Sequence, residues 1–288
     1  MAFQQNTFSE DKKTGIPKLL RITVLVILLI IVILGALFAW IYFSAPSRLN
    51  ILVVGSDQRG TEQARSDVLM VFSIPKSPNQ PLSLITIPRD TKVEVPGYGI
   101  QKITHAYALG EREEDSVLGS VDLTKETVED FLDIPIHGSV EFTFDSFQEL
   151  VDQLGGVDID GDHLDGEDAL SIVRNRYREG GDFARTQDQR EVFLELGKKI
   201  TTPSKAKELY SFFQTHDQTR LKYQKVPAYA FGLATYIRRM GQIDLTNTYT
   251  DFIPGQGDYI YTPEYNANLY YWVPDKDATE EIVDKYLH

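Results

Sequence analysis

Three short polar segments in this 288-residue chain hold the residue types that phosphate chemistry requires. Asp57 closes the run Ile51-Leu52-Val53-Val54-Gly55-Ser56, and Arg59 lies two residues on. Arg65-Ser66-Asp67 stands directly before a second apolar run, and Arg89-Asp90 directly after a third. Two carboxylates brought close repel one another unless a cation lies between them. Oxygen-only ligation of this kind suits Mg²⁺, which keeps several waters and adds phosphate oxygens from a substrate. A later stretch concentrates fixed positive charge in Arg174-Asn175-Arg176-Tyr177-Arg178 and Asp182-Phe183-Ala184-Arg185. Guanidinium groups fork onto phosphate oxygens and stay charged when buried. Arginines beside two aspartates fit a pyrophosphate site. They fit equally a solvated basic helix end paired with neighbouring carboxylates, and spacing alone does not choose.

These residues meet only if the elements between them bring strand ends together. Ile51–Val54 is a short apolar run stopped by Gly55, which reads as a buried strand. Val68–Ile74 and Leu82–Ile87 read the same way, separated by the breaker-rich Pro75–Pro81, and Val93–Val95 adds a short fourth strand. Were the first two strands antiparallel neighbours, Asp57 and Asp67 would share an edge. Helices are expected over Thr104–Leu109, Leu123–Leu132, Glu167–Arg174, Gln187–Ile200 and Tyr229–Met240. Val140–Phe144 alternates like a strand. Asp145 with Gln148 resembles a capping box that opens a helix to Leu154, stopped by Gly155-Gly156. The tail from Asp244 has strand-like, aromatic stretches. Strands mixed with helices predict an α/β fold, a three-layer α/β/α sandwich on a central mixed sheet. Ligands in such sheets sit at the carboxyl ends of strands, where the polar segments fall.

The N-terminal part differs in kind. Ile22 to Phe43 is a run of 22 residues without a charge. As a helix it would span about 33 Å, enough to cross a hydrocarbon core. A core helix is rarely apolar on every face for so long, and Pro46 makes a poor context for signal cleavage. Lys12, Lys13, Lys18 and Arg21 precede the run, and only Arg48 follows closely. The positive-inside rule therefore places the N-terminus in the cytoplasm and the rest outside. The expected organisation is a cytoplasmic tail over residues 1–21, a membrane helix over 22–43, a linker over 44–49 and an extracytoplasmic catalytic domain over 50–288.

The formal net charge is −13. Five basic and two acidic residues precede Asn50, which leaves the outer domain near −16. Nucleic acid is excluded as a partner on that charge. Any anion must be held by a local cluster of arginines. Cysteine is absent, so thiolate, zinc-thiolate and disulfide chemistry are excluded. Gly55 and Gly60 have the spacing of a P-loop without its lysine. Asp158, Asp160 and Asp162 begin like an EF-hand, but His163 and Ala169 stand where Gly and Glu are needed. The five histidines show no metal-ligand spacing.

The ordered segments together resemble the LytR-CpsA-Psr family. They run Leu52 to Arg59, Arg65-Ser66-Asp67, Thr86-Ile87-Pro88-Arg89-Asp90-Thr91, Lys102 to Tyr107 and Leu150 to Asp158. They end with Gly166 to Leu170, Arg174-Asn175-Arg176, Asp182 to Arg185 and Phe252-Ile253-Pro254-Gly255. The resemblance covers roughly Asn50 to Asp275. It implies an enzyme that cuts a polyprenyl-pyrophosphate-linked glycan between its phosphates and joins the glycan phosphate to a peptidoglycan sugar hydroxyl. The lipid tail would lie in an apolar channel. By position, Asp57 and Asp67 match the family's Mg²⁺ carboxylates, with Mn²⁺ as a substitute ion. Arg65, Arg89, Arg174, Arg176 and Arg185 match its pyrophosphate-binding arginines, and Gln189 a glutamine beside them. Asp57, Arg89 and Arg185 are the expected catalytic residues. Partners would be the lipid-linked glycan, peptidoglycan and the bilayer. Asp188 stands where the family usually has a second arginine, and Thr104 replaces a usual asparagine. A hydrolase using water as acceptor, or a regulatory lipid-binding protein, are the competing readings. Asp90 is a candidate general base or, more plainly, a residue that orients Arg89 or caps the turn, and Lys102 is either a further substrate contact or a surface charge.

Overall fold

The computed structural model describes residues 17–57, 65–110, 119–175, 181–200, 202–225, 230–232, 235, 244–262 and 266–288. Contacts divide the chain into two compact units, Met1–Ser44 and Ala45–His288. The first holds one helix, α1 (Lys18–Ser44), whose residues are none of them buried. Its 27 residues rise about 40 Å, long and apolar enough to cross a membrane.

The second unit is built on a six-stranded sheet. Its strands are β1 (Arg48–Ser56), β2 (Ser66–Pro75), β3 (Ser83–Thr86), β6 (Gly138–Thr143), β9 (Thr219–Tyr223) and β10 (Tyr249–Phe252). The order is β10-β3-β2-β1-β6-β9. β1 pairs antiparallel with β2 and parallel with β6, so the sheet is mixed. The antiparallel β1–β2 pairing expected from the sequence is present, with Ser56 opposite Ser66 and a bulge at Gly55/Ser56. Gly55 packs tightly there: an added Cβ would lie 3.0 Å from Val68 Cβ and 3.1 Å from the Phe142 ring, so that a neighbour would have to give way by a few tenths of an ångström. β1 starts three residues before its apolar run because Arg48 is buried within the fold. Its Nε donates to Ser73 Oγ at 2.8 Å and its Nη2 to the Pro81 carbonyl at 2.9 Å.

Alternation along the strands divides the core between two faces. Leu52, Val54, Leu69, Val71 and Ile85 pack on one face with α2 (Ile103–Leu109), α3 (Val121–Leu132) and α8 (Lys276–Tyr286). The opposite face presents Val53, Val68, Met70 and Leu84. It is covered by α4 (Phe144–Gln153), α5 (Gly166–Arg174), α6 (Gly181–Lys199) and α7 (Pro203–Thr215). The expected three-layer sandwich is the observed one. Leu52, Val53 and Val54 are fully buried, each worth about 1.5–3 kcal/mol relative to exposure.

Three smaller ribbons decorate it. They are β4 (Lys92–Val95) with β5 (Gly99–Lys102), β7 (Val157–Ile159) with β8 (Asp162–Leu164), and β11 (Gly255–Thr262) with β12 (Ala267–Pro274). The aspartates that begin like an EF-hand belong to the β7–β8 hairpin, which turns on Asp160 and Gly161 at φ 53° and 92°.

Several local expectations need correction. The cap of α4 is Thr143, not Asp145. Its hydroxyl accepts from Ser146 N–H, and Ser146 Oγ accepts from Thr143 N–H, a capping box two residues earlier than Asp145 with Gln148. Phe144 therefore opens a helix rather than closing a strand. Helix α6 begins at Gly181, six residues before the expected start, so Arg185 is helical. Helices α7 and α8 and strand β9 were not expected. Gly155 and Gly156 both take the left-handed conformation that ends α4, at φ 81° and 76°. The helix expected over Tyr229–Met240 falls largely outside the described residues.

Candidate active site

The polar segments converge at one edge of the sheet, as the antiparallel register of β1 and β2 dictates. Asp57 follows the last residue of β1, and its Oδ1 accepts the Arg65 N–H at 3.1 Å. Arg65 itself is exposed and close enough to His105 to help depress its imidazole. Asp67 lies just inside β2. Its Oδ1 accepts from Arg89 Nη1 at 2.8 Å, across the turn that follows β3. Both side chains are about a fifth to a quarter exposed, so the pair faces solvent at the rim.

Asp90 is held by two cations, Lys102 Nζ at 2.6 Å and Arg89 Nε at 3.5 Å. A carboxylate so placed orients Arg89. Lys102 is part of the cluster rather than a surface charge, and it also lies 5.9 Å from the centroid of the Tyr271 ring. Thr104 fastens the arrangement. Its hydroxyl donates to the Ser66 carbonyl at 2.7 Å, and its N–H to the Arg89 carbonyl at 3.2 Å. Burial is the first cause that lowers the pKa of the adjacent His105, with Arg65 and Lys102 adding to it against Asp90.

Beside this rim opens an apolar cavity of about 170 Å³ between the sheet and α4–α7. Val68, Met70, Phe142, Phe144, Val173 and Phe193 are among its lining residues. Asp67 and Val68 are consecutive on β2 and point to opposite faces, so the strand passes from the polar rim to the cavity wall within one residue. Gln189 also lines the cavity and donates from Nε2 to the Val173 carbonyl at 3.0 Å. Arg185 is buried one turn earlier on α6. Helix α6 runs along β2: Arg190 Nη1 donates to Thr86, which lies opposite Met70, at 3.1 Å, and Phe193 meets Phe72 with ring centroids 5.6 Å apart, so the N-terminal turn with Arg185 lies towards the Ser66 end. Arg174 closes α5 with its guanidinium 5.0 Å from the centroid of the Phe144 ring, at the cavity wall.

The predicted residues therefore form two groups that adjoin at Asp67–Val68. Asp57, Arg65, Asp67 and Arg89 make the rim, and Arg174, Arg185 and Gln189 belong to the cavity side. Arg59 and Arg176 fall outside the described residues. Asp188 is buried on α6. Among the described residues no cluster of three or more His, Asp or Glu is arranged around a metal position. Asp57 and Asp67 are two hard oxygen donors at adjoining strand ends, a set that fits Mg²⁺ with substrate oxygens completing its shell.

Sequence reasoning missed a buried network beneath the rim. Glu141 on β6 accepts a short hydrogen bond from the Tyr107 hydroxyl and pairs with Arg220 of β9 at 3.4 Å. Burial first, then Glu141, pushes the Tyr107 hydroxyl far above its ordinary range. The signal was available: Glu141 alternates with Val140 and Phe142 on a strand buried on both faces, where a charge needs a partner.

Comparison with known proteins places the same features in one family. The LytR_cpsA_psr family model matches residues 40–163 and 161–286. The polyisoprenyl-teichoic acid–peptidoglycan teichoic acid transferase TagU of Bacillus cereus is 33% identical over 260 residues, covering 84% of this chain and 79% of TagU. The crystal structure of B. subtilis TagV superposes with a TM-score of 0.62 at 27% identity, over 83% of this chain and 95% of that one. The LytR-CPS2A-psr family protein YwtF (TagT) with bound octaprenyl pyrophosphate lipid superposes with a TM-score of 0.57 at 27% identity, over 83% and 89%.

Proposed function

The chain belongs to the LytR-CpsA-Psr family, and on that premise we propose that it transfers a glycan phosphate from a polyprenyl-pyrophosphate carrier to a sugar hydroxyl of peptidoglycan. The observation that carries the reading is the junction at Asp67–Val68. There an Arg89–Asp67 pair at 2.8 Å borders an apolar cavity lined by Val68. A diphosphate with an isoprenoid tail has that division of polarity. The relatives named for teichoic acid transfer and for bound octaprenyl pyrophosphate support the same ligand class.

The chemistry asks little covalent work of the protein. Arg89, with Arg185 and Arg174 from the cavity side, holds the diphosphate and stabilises charge on the departing lipid phosphate. Asp90 and Lys102 keep the Arg89 guanidinium in place. Asp57 and Asp67 would hold Mg²⁺. Bound there, the ion would supply neutralisation of phosphate charge. The acceptor hydroxyl attacks the glycan phosphate, the bond to the lipid phosphate breaks, and polyprenyl monophosphate leaves. Helix α1 anchors the chain, with the N-terminus cytoplasmic and the sandwich outside, as the basic residues before the helix favour.

The test is to incubate the full chain with a synthetic polyprenyl-pyrophosphate glycan and a glycan-strand acceptor. Polyprenyl monophosphate and acceptor-linked glycan should appear in equal amounts and fall on chelation of Mg²⁺. Free glycan phosphate in place of the linked product would mean hydrolysis and overturn the transferase.

A further inference from the structure

The β11–β12 hairpin carries a row of exposed aromatic rings that the chemistry above leaves unused. Its register places Tyr259 opposite Tyr270, and Tyr261 opposite Asn268. Alternation puts Gly257, Tyr259, Tyr261, Asn268, Tyr270 and Trp272 on one face. Tyr259 is 71% exposed, Tyr261 58% and Tyr270 39%. The other face, with Ile260, Thr262, Leu269 and Tyr271, is wholly or partly buried apart from Gln256 and Asp258. Tyr259 and Tyr270 meet edge to face, with centroids 5.6 Å apart. No charged residue lies on the tyrosine face, in a chain of formal net charge −13.

The hairpin is continuous with the rim. Trp272 N–H donates to the Asp90 carbonyl at 2.8 Å, and Thr91 bridges to Trp272. The aromatic row therefore begins at the residue that orients Arg89. It also meets the other group of site residues. Lys102 of the rim lies 5.9 Å from the centroid of the Tyr271 ring on the hairpin's other face, and Trp272 meets Phe183 of α6, two residues before Arg185, with ring centroids 5.5 Å apart. The aromatic row therefore starts beside both the Arg89 turn and the first turns of the helix that carries Arg185, and runs outward from there.

Resting on the transferase reading, we infer that the Tyr259–Tyr261–Tyr270 face is the docking surface for the sugar rings of the acceptor glycan strand. A pyranose ring offers an apolar C–H face of about the size of a tyrosine ring, and its hydroxyls can meet the phenolic ones. A neutral face on an acidic protein suits a neutral sugar backbone. It does not suit the phosphate-rich donor polymer or an anionic bilayer, which the surrounding negative charge repels. Large exposed apolar patches on such proteins mark interaction surfaces.

The experiment uses the full chain in detergent and an oligosaccharide of alternating N-acetylglucosamine and N-acetylmuramic acid whose lactyl carboxyls are capped as amides, so that the glycan is neutral, titrated by calorimetry. The paired change Tyr259→Ala with Tyr270→Ala should weaken glycan binding about tenfold, as loss of two ring contacts implies. The paired change to Phe should bind within about twofold of the parent, since the rings remain. Binding of polyprenyl pyrophosphate should be the same in all three proteins. Unchanged glycan binding in the Ala pair overturns the inference, as does equal loss of both ligands. In liposomes, a Tyr261→Trp probe in a Trp40→Phe background should escape quenching by brominated lipids; strong quenching would assign the face to the bilayer instead. Binding needs no turnover, so a protein that fails to transfer does not affect this result. A protein that transfers normally with the Ala pair and an unchanged acceptor KM retains the proposed function and loses this inference.

Discussion

Arg89 donates from Nη1 to Oδ1 of Asp67 at 2.8 Å, joining the turn after β3 to the first residues of β2. The contact is partly exposed, so its contribution to stability is about 1 kcal/mol or less. Its value lies in fixing where a guanidinium stands relative to the cavity mouth.

That distinction gives the first prediction. Arg89→Ala should lower transfer from a polyprenyl-pyrophosphate donor about a hundredfold or more, the usual loss when a charge-stabilising donor is removed. The unfolding midpoint should hardly move. Turnover assays paired with thermal melts check both. Normal turnover would remove Arg89 from the site, and a collapse in stability would make its role structural.

The network beneath the rim should behave in the opposite way. Glu141 is about 1% exposed and pairs with Arg220 and Tyr107. Arg220→Ala leaves a buried carboxylate short of its cation and should destabilise the fold by roughly 3 kcal/mol. Adding Glu141→Gln should recover part of that loss, because the amide needs no countercharge. Denaturant unfolding of the two variants measures it. Equal stabilities for the single and double variants would show that Arg220 is not what compensates Glu141.

The sequence made one part of this architecture plain and hid the other. The strands that place Asp57, Asp67 and Arg89 are short apolar runs closed by Gly55 or Pro88, and such runs have few alternatives. β9 was missed because Arg220 and Lys222 interrupt its apolar residues and read as solvated charge. In the fold Arg220 meets Glu141, and Lys222 meets Asp122 at 2.9 Å, so both cations have tertiary partners that no local pattern announces. The cap of α4 was misplaced for a related reason. Asp145 and Gln148 satisfy the same pattern as Thr143 and Ser146, and the choice falls to Thr143 because β6 ends there. The tyrosine face of β11–β12 depends on strand register, which composition does not reveal.

A pH dependence follows from His137. Burial is the first cause that lowers its pKa below 6.5, and its Nδ1 accepts the Asn50 N–H at 3.1 Å, which requires a neutral ring. The unfolded chain takes up its proton near pH 6.5 and the folded chain only at lower pH. Stability from this site is therefore complete above about pH 6.5 and declines as the pH falls from there towards the folded value. His105, shifted the same way, adds to the decline. His137→Asn keeps an acceptor for Asn50 and should flatten the melting temperature between pH 7 and 5 without abolishing the slope. An unaltered slope would clear His137 of the effect.

The most direct test of the central claim is photo-crosslinking of the full chain with a polyprenyl pyrophosphate bearing a diazirine on its tail. Labelled peptides should contain Phe142, Leu170 or Phe193 from the cavity wall, and Arg89→Ala should reduce the yield sharply. Labelling confined to α1, or cavity labelling that is indifferent to Arg89, would contradict a site that grips the diphosphate at the rim and shelters the tail within the sandwich.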